Sequence, residues 1–151
     1  LDSVLSRNFI FYFAKRKKKI WFSIIFLALL IFLTDKISVL AFKDVFQRLR
    51  PCHNPDLQNL IHTVDQHCGG KFGFVSSHAT NVFGTAMFTL LFFQKKWFTF
   101  VILIWATLVS YSRIYLGVHF FGDVFCGAIL GMIIGFLTFF IYKRLYSHIF
   151  L

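Results

Sequence analysis

The chain is poor in three kinds of residue. Of its 151 residues only two are proline, three are cysteine and six are acidic. Both prolines, Pro51 and Pro55, fall in one short polar stretch, so no proline interrupts the long apolar segments on either side. The cysteines Cys52, Cys68 and Cys126 form no paired CxxC pattern, and no HxxxH pattern accompanies them, which removes the usual zinc frameworks. Charged residues make up 15% of the chain and hydrophobic types 58%. That leaves too little polar surface for a water-soluble domain of this size.

What is present suits a bilayer. Mean hydropathy is +0.71. Aromatics make up 21% of the residues, with 23 Phe spread over every apolar segment, so a leader peptide is not the source of the hydropathy. The net charge of +10 sits in short clusters between apolar runs: Lys15 to Lys19, Lys95 with Lys96, and Lys143 with Arg144. Such clusters mark the cytoplasmic ends of membrane helices and attract anionic lipid. No continuous basic face with interleaved aromatics exists outside the apolar segments, so membrane lipids and not nucleic acid are the expected partners.

Ile20 to Phe42 is an apolar run of spanning length, which requires about 17 to 25 residues. The apolar piece before the first basic cluster is too short to span. Because the chain opens on Leu1, upstream sequence with one or two further helices is expected to belong to the intact protein. Residues 52–75 are rich in His, Asn, Asp, Gln and Gly and read as a polar loop. Ala79 to Phe93 and Trp97 to Val109 are each short of a span, so Ser76, Ser77 and His78 must complete one helix and Ser110, Ser112 and Arg113 the other. Phe120 to Tyr142 supplies a last span, with Gly127, Gly131 and Gly135 at the four-residue spacing of close helix contacts. The expectation is an all-α, polytopic transmembrane helix bundle forming a single domain over 1–151. Alternating helices put all three basic clusters on one side and the polar loop and polar helix ends outside. In a bacterial inner membrane the site would then face the periplasm or exterior.

Three segments bring ionisable residues to that outer boundary, where charges are costly and default to a functional reading. His119 and Asp123 are four residues apart at a helix start and share a face. A carboxylate there would fix the imidazole tautomer and leave the other ring nitrogen free to attack. A structural His–Asp pair is the plain alternative if the two stood alone. Lys43, Arg50 and Arg113 supply cations, while Ser76, Ser77 and the first N–H groups of the following helix supply neutral donors, a set suited to a phosphoryl group. His78 stands apart from the His119–Asp123 pair and is placed to protonate a leaving oxygen and then activate water.

These segments resemble the signature of the type 2 phosphatidic acid phosphatase (PAP2) superfamily, Kx6RP, PSGH and SRx5Hx3D. Lys43 and Arg50-Pro51 match the first element, Ser76 and His78 the second, and Ser112-Arg113, His119 and Asp123 the third, in the family's order. The resemblance implies a metal-independent lipid phosphatase without cofactor, working through a phosphohistidine on His119. Asp123 would orient it, His78 would be acid and base, and Lys43, Arg50, Ser76, Ser77 and Arg113 would hold phosphate. Val75 stands where the pattern has Pro, and Ser77 where it has Gly. Ser77 is therefore expected to present its backbone N–H in a conformation glycine adopts more readily.

Undecaprenyl diphosphate, phosphatidylglycerophosphate and a lipid A phosphate all fit a site that reads only phosphate. A lipid phosphotransferase and a non-catalytic lipid-phosphate binding or transport protein are the alternatives in function. Cys52, His53, His62, His67 and Cys68 form a weaker zinc candidate in the loop, where oxidised thiols are more usual than metallated ones. A Cys52–Cys68 disulfide is the expectation there, and Cys126, inside a membrane helix, is expected to be packing. Oligomeric state is not legible.

Overall fold

The computed structural model describes residues 2–57, 60–61 and 68–150, with side chains described from Ile20 onward as far as Ile149. Four long helices carry the chain. We label them α1, Asp2–Ile37; α2, Ser77–Phe93; α3, Lys96–Tyr115; and α4, Phe121–Phe150. α1 continues without a break through a π-helical segment, Ser38–Lys43, and a last turn, Asp44–Phe46.

The first and last helices outrun the spans expected from hydropathy. α1 begins well before Ile20 because no Gly or Pro occurs between Asp2 and Phe46, and the basic cluster is made of good helix formers. α4 passes Lys143 and Arg144 for the same reason. The two short apolar runs are completed by polar residues: α2 takes in Ser77 and His78, and α3 ends on Ser110, Ser112, Arg113 and Tyr115.

Ile20–Phe46, Lys96–Tyr115 and Phe121–Ile149, with 27, 20 and 29 residues, are long and apolar enough to cross a membrane. α2, with 17 residues, is about 26 Å long. It packs against all three others, which buries Thr80 and leaves His78 exposed at its N-terminal end. The outer faces are apolar: Ile25, Phe32, Phe100, Leu108, Phe125 and Phe140 are all exposed, as expected where hydrocarbon is the solvent.

Packing differs between the two ends of the bundle. Toward the basic end, Phe22, Phe26, Phe88 and Phe92 surround Tyr142 with ring centroids 5.4 to 5.8 Å away. The Tyr142 hydroxyl meets Ser23 Oγ at 3.0 Å. Toward the other end small residues bring α2 and α4 together. A Cβ on Gly127 would lie 2.7 Å from the Ser76 carbonyl oxygen, one on Gly131 would overlap the Thr80 carbonyl and lie 2.9 Å from Gly84 N, and one on Gly135 would overlap the Gly84 carbonyl. This close approach joins the two helix starts: Ser76 N–H donates to the Asp123 carbonyl at 2.9 Å.

Gly131→Ala should therefore push α2 and α4 apart and cost about 1–3 kcal/mol, a typical overpacking penalty. It should lower the thermal unfolding midpoint in detergent. Gly70→Ala, where an added Cβ meets nothing within 4 Å, is the matched control. Equal midpoints for the two variants would contradict the glycine seam.

Candidate active site

The segment after α1 is shaped by its own backbone. Gln47 ends the helix in the left-handed region, at φ 48°, and Arg48 to Arg50 then pair antiparallel with Lys71 to Gly73. Arg50 N–H donates to the Lys71 carbonyl at 3.2 Å, and Gly73 N–H donates to the Arg48 carbonyl at 2.8 Å. The Cys52–Cys68 disulfide, with Cα atoms 6.0 Å apart, closes the base of this clip. Arg50 Nη1 donates to the Cys68 carbonyl at 3.2 Å and Nε to the Phe72 carbonyl at 3.3 Å. The guanidinium is thus aimed by the loop that the disulfide tethers.

Asp123 occupies the third position of α4 and has no exposed surface. Its Oδ2 accepts the Phe120 N–H at 3.0 Å, the reach-back of a capping box, which satisfies a donor the helix start would otherwise orphan. Its Oδ1 accepts from Arg48 Nη1 at 3.0 Å. The same guanidinium lies over the Phe120 ring, 4.4 Å from its centroid. His119 Nδ1 is 3.5 Å from Oδ2. That is an ion-pair distance rather than a formed hydrogen bond, and Nδ1 has no other partner. Gly73 makes room for the carboxylate, since a Cβ there would lie 3.1 Å from Oδ2.

His119 is itself buried, in the elbow between α3 and α4. Its backbone N–H and that of Val118 both donate to the Arg113 carbonyl, each at 3.2 Å. Burial is the main influence on its pKa and pushes it below the ordinary 6.5; Asp123 pulls the other way, while Arg50 and Lys43 add to the lowering. The ring is therefore neutral at neutral pH.

A cavity of about 400 Å³ opens at this point, lined by Arg50, Gly69, His78, Arg113, Leu116 and His119 among others. Arg113 Nε is buried and unpartnered. Two cations and two imidazoles thus meet around one space, enough to bind an anion and exchange protons with it.

Other residues in the expected set stand behind this cavity. Ser76 is the N-cap of α2, fully buried, its Oγ accepting from Ala79 N–H at 3.5 Å. Ser77 does not use a glycine-like backbone: it is the first helical residue, and positive φ outside glycine is confined to Gln47 and Gln94 among the described residues. Its hydroxyl is occupied instead, by Lys43 Nζ at 2.7 Å and Ser38 Oγ at 2.7 Å. The π-helical segment explains that pairing, because hydrogen bonding to the fifth residue widens the turn and brings residues five apart toward one side. Lys43 stands at the edge of the cradle, held by Ser77. Arg48, the ion-pair partner of Asp123, is absent from the signature read in the sequence. Its signal was its place two residues before Arg50 in an extended segment, which puts both on one side. Of the zinc candidates, His62 and His67 lie outside the described residues. Cys52 and Cys68 are joined to each other, and among the described residues no three His, Cys, Asp or Glu side chains gather as a metal site. Cys126 is a free thiol, partly exposed on α4.

Arg48→Met should cost about 1.5–3 kcal/mol, the range for a hydrogen bond to a charged group, nearer the lower end because 46% of the Arg48 side chain is exposed. Turnover of a phosphate ester should fall at least about tenfold, since a carboxylate missing its partner no longer holds His119. Arg48→Lys should recover only part of this, lacking the planar stack on Phe120. Full activity in Arg48→Met would show that Asp123 needs no second partner.

The chain is similar in sequence to several known proteins. A lipid A 4'-phosphatase of Porphyromonas gingivalis is 39% identical over 142 residues, covering 93% of this chain and 59% of the relative. One from Bacteroides thetaiotaomicron is 40% identical over 124 residues, covering 81% and 55%. An undecaprenyl-diphosphatase of Sulfolobus acidocaldarius is 33% identical over 124 residues, covering 82% and 56%. The chain thus spans a little over half the length of these relatives. No solved structure matches it significantly. The sequence model of the PAP2 superfamily matches residues 21–147. With that match and these relatives, the chain belongs to the PAP2 superfamily.

Proposed function

We propose that the chain carries the catalytic centre of a membrane phosphatase that removes phosphate from a lipid headgroup through a phosphohistidine on His119. The observation that carries this reading is the convergence of His119, His78, Arg50 and Arg113 on one cavity, with Asp123 buried behind. His119 Nε2 attacks phosphorus while Nδ1–H faces Asp123, which stabilises the imidazolium that forms. Arg50 and Arg113, with Lys43 at the edge, hold the equatorial oxygens as charge develops on them. His78 protonates the departing oxygen, then takes a proton from the water that releases phosphate and restores His119.

The leading substrate is a lipid A phosphate, because two relatives, 39% and 40% identical, carry that activity in their names. Undecaprenyl diphosphate and phosphatidylglycerophosphate follow, from more distant relatives so named. We place the centre at the outer boundary of a bacterial inner membrane, with 52–75 as an outer loop and 1–151 as a single domain. Support comes from Lys95, Lys96, Lys143 and Arg144, which lie at the helix ends opposite the cavity. Impermeant labelling of a cysteine introduced at Asn59 in intact cells tests this sidedness.

The two histidines should separate on leaving-group activation. With lipid A, both His78→Ala and His119→Ala should lose nearly all phosphate release, the former by about 10²- to 10⁴-fold. Nitrophenyl phosphate leaves as a stable anion. His78→Ala should then give a burst of nitrophenolate followed by a slow second step, and His119→Ala should give none. Identical responses of the two variants would overturn the roles.

A further inference from the structure

At the end of the bundle opposite the phosphate cavity, α4 outruns α2. α2 stops at Phe93, where Gln94 turns the chain at φ 52°, while α4 continues to Phe150. The overhang leaves a notch of about 650 Å³, walled by Leu91 and Gln94 on one side and by one face of α4 on the other. Phe136, Phe140, Lys143, Arg144 and Ser147 recur there at helical spacing and form a single stripe. The two Phe come first, and Arg144 follows roughly 12 Å from Phe136 along the axis. The notch therefore changes from apolar to basic along its length.

We propose that this notch binds an anionic phospholipid, with the headgroup phosphate on Lys143 and Arg144 and an acyl chain along Phe136 and Phe140. Charge is the main argument. No acidic residue occurs in 66–122 or 124–151, the segments that supply the notch, and among the described residues no ion pair reaches Lys143 or Arg144. Two adjacent cations without a protein anion match a phosphodiester, and basic pockets between membrane helices hold anionic headgroups for this reason. Shape is the second argument. A lysine snorkelling from a flat helix face is drawn to any anionic surface, whereas a concave notch of this volume is the size of a small-molecule site. Order along the stripe is the third, since the aromatic wall precedes the cations in the direction that leaves the bundle, as an acyl chain precedes its headgroup. The bound lipid is distinct from a substrate, because His78 and His119 line the cavity at the other end.

Native mass spectrometry of the full chain in an uncharged detergent tests the site, with phosphatidylglycerol or phosphatidylcholine of the same acyl chains titrated in at about 0.15 M salt, which screens distant charges. One phosphatidylglycerol should be retained at least about tenfold more tightly than phosphatidylcholine, whose choline answers its own phosphate. The double variant Lys143→Gln/Arg144→Gln should weaken retention about fivefold for each cation removed, and Phe140→Ala about threefold through the lost wall. All three side chains are exposed, so the variants should fold. Lys17→Gln/Lys18→Gln removes the same charge from the basic cluster ahead of Ile20 and should change retention less than about twofold. Equal retention of the two lipids would overturn the site. Equal losses in the two double variants would also overturn it, leaving only a diffuse attraction to the basic end. No phosphate release is read, so the result stands apart from the phosphatase reading.

Discussion

A carboxylate cut off from solvent must be paired or give up its charge, and the pairing of Asp123 organises everything around it. One oxygen takes Arg48, the other takes the Phe120 N–H and faces His119 at 3.5 Å, while the residue's own carbonyl takes the N–H of Ser76. Through these contacts a single residue ties together the clip after α1, the start of α2 and the elbow before α4. Those are the three parts of the chain that supply the histidines and arginines. The placement of His119 and the meeting of the helix ends are thus consequences of one buried charge.

That charge is placed by the close approach of two backbones. Without side chains at Gly127, Gly131 and Gly135, α4 lies against α2 near enough for Ser76 to reach Asp123. In a bilayer such contacts replace the hydrophobic effect as the cause of helix association, because lipid tails are as apolar as the helix faces they compete with. The opposite end of the bundle is packed instead by rings around Tyr142. The rings fix the helices relative to one another, and the glycines set how near the helix starts come at the site.

The helices were legible because the bilayer leaves a strong mark: long apolar runs, basic clusters at one set of ends and polar residues at the other. Their limits were less so. Helix α1 extends far ahead of Ile20 because a helix, once formed, continues through basic residues whose solvent preference hydropathy registers as a boundary. His78, His119, Arg50 and Arg113 were legible as a group from spacing alone, and they share a cavity. Two details lay beyond spacing. Ser77, read as a backbone donor, is a side-chain partner of Lys43 and Ser38, because the π-helical segment brings those two residues to it. Arg48 was passed over because a signature names the residues that bind the phosphate and omits those that hold the holders.

The central claim is that burial keeps His119 neutral against the opposing pull of Asp123, while the carboxylate holds the proton on Nδ1 and leaves Nε2 bare toward the cavity. Nitrogen NMR of the ring-labelled protein, with His119 assigned by the signal lost in His119→Gln, reads that state directly. At pH 7.5 the His119 signals should be those of the Nδ1–H tautomer. On acidification they should convert to imidazolium with a midpoint below the ordinary 6.5, since burial outweighs the carboxylate. An imidazolium persisting above pH 7, or a proton resident on Nε2, would contradict it.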